Sequence, residues 1–212
     1  MGGNAYFCRA SRHDLLQLFV VYITLAVMST LPLFVASRSA IRDLLSSLQL
    51  RRKEEWRSVY VNPATSEEWI QYPLWDYHGP GPNCLRRGSP SLGDALACIE
   101  KSENDAEVSA AAYHLANELA AFKENYEPLV ERLEAMSSSS PNERVTRNIA
   151  LAVAWSQVDC PFNHRDPIGK SIEQVNADYA HFAALAKRAT ALKARAEAAL
   201  GCEVSQKSTS FE

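Results

Sequence analysis

The stretch Leu15–Ala36 reads LLQLFVVYITLAVMSTLPLFVA, and no residue in it carries a charge. As a helix rising ~1.5 Å per residue it would span about 33 Å, enough to cross a hydrocarbon core about 30 Å thick. Arg12, His13 and Asp14 mark one boundary, and Arg38 and Arg42 mark the other. A secretory signal has a shorter apolar core, ~7–15 residues. The stretch therefore predicts a single transmembrane helix over 15–37, bent near Pro32 where a backbone donor is missing. Membrane lipids would surround it, and the protein would be integral and single-pass.

The flanks give opposing signals for orientation. Arg9 and Arg12 stand against Arg38, Arg42, Arg51, Arg52 and Lys53, and the excess of positive charge after the helix places the C-terminal part in the cytosol or matrix. Cys8 precedes the helix while Cys84, Cys98, Cys160 and Cys202 follow it, an even set that suits an oxidising compartment. The side of the C-terminal part stays open on this evidence.

Across all 212 residues, 22 basic and 25 acidic side chains leave a net charge of −3, which excludes a dedicated nucleic-acid binder. Five cysteines are too few for a disulfide-built miniature scaffold. After a tail at 1–14 and the span at 15–37, residues 38–57 are basic. Ile41, Leu44, Leu45 and Leu48 fall there at helical spacing and predict an amphipathic stalk helix. Residues 58–91 carry Pro63, Pro73, Pro80, Pro82 and Pro90 among Trp69, Tyr72, Trp75 and Tyr77. Prolines break regular elements while aromatic rings seek a surface, so this segment predicts an extended arm. Its four aromatic residues are candidate partner contacts.

Residues 92–201 predict a helical bundle, followed by a tail at 202–212. Ser91 and Asp94 have capping-box spacing, and Ser140-Pro141-Asn142-Glu143 is a second start signal. Val108, Ala112, Leu115, Leu119, Phe122, Tyr126, Leu129, Leu133 and Met136 alternate by four and three, which predicts one long helix. A second stripe runs from Ile168, Ile172, Val175, Tyr179 and Phe182 through Leu185, Ala189, Leu192, Ala196 and Ala199. The fold expected is all-α: a transmembrane helix, the aromatic Pro-rich arm, and an elongated bundle with two long antiparallel helices.

No catalytic motif stands out. Cys160-x3-His164 is half of a metal site, but no CxxC, HxxxH or HExxH supplies the other half. Cys98 and Cys160 are candidates for a disulfide if the two long helices share an end, or they are buried free thiols. The pattern thus implies no enzyme, no catalytic or metal residues, no cofactor and no small-molecule substrate. By analogy of architecture it predicts a non-catalytic accessory subunit of a large membrane complex. A respiratory complex or ATP synthase of the mitochondrial inner membrane is the expected host, with the other subunits as partners. A membrane-tethered helical binding protein is the alternative. A redox or metal protein using Cys84, Cys98, Cys160 and His164 is a further one.

Overall fold

The computed structural model describes residues 32–76, 79–117, 122–139, 142–160 and 168–201. The chain divides into two units, Met1–Pro32 and Leu33–Glu212, and the elements below belong to the second. Among the described residues, no helix is long and apolar enough to cross a membrane. The residues that would complete the 15–37 span form sheet instead. Phe34–Val35 is strand β1, and Phe34, Val35 and Ala36 are buried in a protein core. Residues 1–31 lie outside the described set. The expected integral, single-pass location and the all-α fold are thereby overturned.

After β1, helix α1 covers Arg38–Leu45, capped by the Ser37 hydroxyl, which accepts from Ala40 N at 3.5 Å. Strands β2 (Gln49–Lys53), β3 (Ser58–Val61), β4 (Glu68–Asp76) and β5 (Gly79–Arg87) follow. The sheet is antiparallel in the order β1-β5-β4-β3-β2. Because β1 and β2 hold opposite edges, α1 carries the chain across one face of the sheet. The stalk helix expected over 38–57 thus stops after two turns, and its basic end becomes an edge strand.

The expected arm at 58–91 is instead the centre of the sheet. Its prolines sit where the ladder has no use for their missing N–H. Pro73 lies past the last β3 pairing, Ser58 with Gln71, so its nitrogen faces no strand. Pro82 falls beside the irregularity between Pro73 and Trp75, where the β4–β5 register slips. Strict alternation then sorts the side chains. Phe34, Ile70, Tyr72, Cys84 and Arg86 share one face, and Trp69, Gln71 and Leu85 share the α1 face.

The remaining helices are α2 (Leu92–Lys101), α3 (Asp105–Asn117), α4 (Tyr126–Ser139, entered by a 3-10 turn at Phe122–Asn125), α5 (Glu143–Ser156) and α6 (Ile172–Leu200). The first expected long helix is therefore two, α3 and α4. Asn125 marks the change of direction, its Nδ2 donating to the terminal carbonyl of Leu115 at 3.2 Å. Ser91 and Asp94 form the capping box of α2, while α5 is capped by Asn142, whose side chain accepts from Val145 N at 2.9 Å. Val108–Ala116 of α3 and Asn148–Ser156 of α5 are each buried without a gap, since they pack on several sides at once. Phe34 and Tyr72 dock on α3 through His114 and Tyr113, with ring centroids 5.5 and 6.1 Å apart. The result is three layers: α1, the sheet, and the helices α2–α6.

Gly81 tests the β4–β5 hairpin. A Cβ there would lie 2.6 Å from the Leu74 carbonyl oxygen, so alanine must push two backbones apart. Gly81→Ala should cost ~1–3 kcal/mol and lower the melting temperature by several degrees. Gly93→Ala in α2, where a Cβ meets only Ser91 Oγ at 3.7 Å, should instead raise it. Calorimetry on the two variants checks both signs.

Candidate functional site

Of the four aromatic residues expected to contact a partner, Trp69 is 0% and Tyr72 3% exposed. Both hold the sheet together, which corrects their assignment as surface anchors. The side chain of Trp75 and the whole of Tyr77 lie outside the described residues. Burial pushes the Cys84 thiol up to about 12. Cys98, whose Sγ lies 3.9 Å from the Glu107 carbonyl oxygen, is pushed up to about 12 by burial too. Cys84 and Cys98 are thus protonated at neutral pH and poor nucleophiles. Cys84, Cys98 and Cys160 are all free thiols. His164 and Cys202 lie outside the described residues. Among the described residues, no group of three His, Cys, Asp or Glu side chains could hold a metal ion.

One buried polar cluster joins the sheet to α3. Arg86, 7% exposed, lies over the Tyr72 ring at 5.9 Å and donates to the Gly88 carbonyl. His114, 2% exposed, has its Nε2 3.1 Å from the Pro90 carbonyl oxygen, a bond in which the nitrogen donates. Burial lowers its pKa to about 4, so the ring is neutral over the physiological range. This cluster ties loop to helix and presents nothing to solvent.

Among the described residues, two exposed surfaces stand out. The first is a groove on the α1 face of the sheet. A cleft of about 400 Å³ is bounded by Arg38, Ile41, Arg42 and Leu45 of α1 and by Gln71, Gly81 and Asn83. A second, of about 390 Å³, shares Gln71, Gly81 and Asn83 and runs on to Lys53, Trp56 and Arg57 of the β2–β3 hairpin. Arg38 and Arg42 stand one turn apart, and neither has a carboxylate partner among the described residues. Tyr60 OH donates to Gln71 Oε1 at 3.1 Å, which leaves the Nε2 end of that amide to the groove. Sequence reasoning passed over these residues. The i,i+4 arginine pair on a short apolar helix was the available signal.

The second surface is the first half of α6. The second half is seated: Leu185, Ala186, Ala189, Leu192 and Ala196 are buried, and Arg188 donates twice to Glu134 of α4 at 2.9 and 2.7 Å. Between Ile172 and Ala184 no residue is buried, and Ile168 and Ile172 are 87% and 76% exposed. The domain covers the stripe from Leu185 on and half-covers Val175, Tyr179 and Phe182, the last edge-on to Tyr126 with ring centroids 6.4 Å apart, which leaves Ile168 and Ile172 open.

No protein-family model, curated protein or solved structure matches the chain.

His114 supplies a stability test. The unfolded chain takes up a proton near pH 6.5, whereas the folded ring resists it until about 4. Stability should therefore be full above pH 6.5 and fall as pH drops from there towards 4, by on the order of 2–3 kcal/mol. His114→Gln, which keeps a donor for Pro90 but cannot titrate, should flatten that slope. Urea midpoints between pH 7 and 4.5 compare the two; parallel profiles would rule the histidine out as the cause.

Proposed function

We propose that the chain is a non-catalytic accessory subunit of a larger protein assembly, and that it docks through the exposed start of α6 and the turn before it. The observation that carries the reading is the division of one apolar seam. Ile168, Ile172, Val175, Tyr179 and Phe182 recur by four and three, the spacing by which a helix meets another helix along its length. The same spacing on the second half of α6 is already used in that way against α4 and α5. Two isoleucines more than three-quarters exposed on a regular seam are a cost in water that a partner helix would remove.

The borders of the half-seam favour association. Lys170 and Asp178 neutralise each other in an ion pair, and Ser171, Asn176 and Ala183 are uncharged. The partner that fits is an apolar-striped helix of another subunit. Burial keeps the Cys84 and Cys98 thiols protonated and the His114 ring neutral, and the reading assigns these three to structure.

Ile168→Asp/Ile172→Asp is the test. Each isoleucine is worth ~1.5–3 kcal/mol when buried, so the pair should weaken association by at least about a hundredfold. Its melting temperature should stay near that of the parent, because neither side chain is buried in the domain. The readout is native mass of the chain and its co-migrating proteins after gentle extraction from its source. A parent protein that migrates alone, or a variant that still migrates with the full partner set, would refute the proposal. A parent that migrates as two identical chains would replace the accessory role with self-association.

A further inference from the structure

The wall that α1 presents to the cleft of about 400 Å³ is set by its sequence. Arg38, Ile41, Arg42 and Leu45 stand at i, i+3, i+4 and i+7, so all four fall on one face of the helix. Cationic and apolar side chains therefore alternate along one wall. Burial separates their roles. Ile41 is 6% exposed and Leu45 is half-buried, whereas both arginines reach solvent.

Charge then selects the sign of a ligand. The cleft is bounded by two arginines and by no acidic residue. Neither arginine has an ion pair among the described residues, whereas Arg51, Arg87 and Arg188 each face a glutamate. Asp43, the acid of α1, follows Arg42 directly and so lies about 100° round the helix from it. The cleft also opens at the start of α1, where Ala36 lines it and the first turn holds no acid. The positive end of the helix dipole adds to the same potential. On the opposite wall, Gln71 and Asn83 contribute neutral amides. The neighbouring cleft lacks this bias, because Glu54 and Glu55 stand there with Lys53 and Arg57.

Size and the apolar lining decide what kind of anion fits. The volume lies in the range of small-molecule sites and is far larger than an inorganic anion needs. An ion pair at an exposed guanidinium gains little in water, so a bare anion would be held weakly. Hydrocarbon covering Ile41, Leu45 and Pro82 would supply the missing affinity. A guanidinium meets a carboxylate with two parallel donors and fixes its orientation. We propose that the cleft between α1 and the sheet binds a small organic carboxylate, its head against Arg38 and Arg42 and its apolar body against Ile41 and Leu45.

The test is titration calorimetry of the whole chain with 3-phenylpropionate, with its neutral carboxamide, and with inorganic phosphate. The carboxylate is expected to bind at one site per chain, at least tenfold more tightly than either comparison. Arg38→Gln/Arg42→Gln should reduce it to the level of the carboxamide and, at exposed positions, leave the melting temperature unchanged. Leu45→Ser should weaken both organic ligands more than threefold and preserve their ratio. Lys53→Gln, in the neighbouring cleft, should change binding less than twofold. Equal binding of carboxylate and carboxamide, or binding unaltered by the arginine substitutions, would overturn the proposal. So would the lack of saturable binding at millimolar carboxylate. Phosphate bound as tightly as the carboxylate would overturn it in favour of a general anion site. None of these results depends on α6, so this site and the helix-docking reading stand or fall separately.

Discussion

The fold depends on the close approach that α3 allows. From Val108 to Ala116 it presents alanines, a serine and few large side chains, so α2, α5 and the sheet can all pack against it. Such contact leaves little space for polar atoms, and those present are spent on helix ends. Asn148 in α5 donates from Nδ2 to the carbonyls of Ile99 and Ser102, both at 2.9 Å, and so closes the C-terminus of α2. Asn125 does the same for α3, and His114 binds the loop before α2 through Pro90. The two asparagines are short polar side chains aimed at carbonyls that a buried helix end would otherwise leave without a partner, and the histidine serves a buried loop in the same way.

That economy explains what the sequence concealed. Leu33–Ala36 looks the same whether lipid or protein covers it, since hydropathy measures dislike of water and not the alternative to it. The decisive facts are non-local: Phe34 lies beside His114 and pairs with Arg86, residues far along the chain. The prolines of 58–91 misled for a related reason. A proline is incompatible with a ladder only where its nitrogen faces a neighbour, and the length of β3 decides that for Pro73. The stripe from Val108 to Met136 keeps its period through the turn, because α3 and α4 both face the same core. Local signals fared better. The capping residues Ser91 and Asp94, and Gly201 with its left-handed φ of 65° at the end of α6, act over a few bonds and were legible.

For the sites the pattern is reversed. Aromatic residues drew attention as anchors, yet Trp69 and Tyr72 are the residues this small sheet needs for its own two faces. A tryptophan is the largest apolar payload available, and a five-stranded sheet between two helical layers has first use for it. The residues left outward are plainer: arginines on a two-turn helix, two amides, and isoleucines just before and at the start of α6. The isoleucines belonged to a stripe read from the chain, but periodicity could not tell how much of that stripe the domain would cover.

The two outward surfaces answer different physical problems, which is why both can belong to one interaction protein. A helix seam gains its free energy from apolar area and tolerates many partner sequences of the right period. A sheet edge is selective, because a shifted register leaves backbone groups desolvated without partners. The edges of this sheet are guarded. Strand β2 carries Arg51, Arg52 and Lys53 in succession and an irregular register between Leu50 and Arg52. Arg51 and Arg52 are already engaged by Glu68 and Glu54. A bulged, charged edge of this kind discourages a second strand. The β5 edge is guarded by other means, Pro80 and Pro82 and the register slip between Pro80 and Asn83.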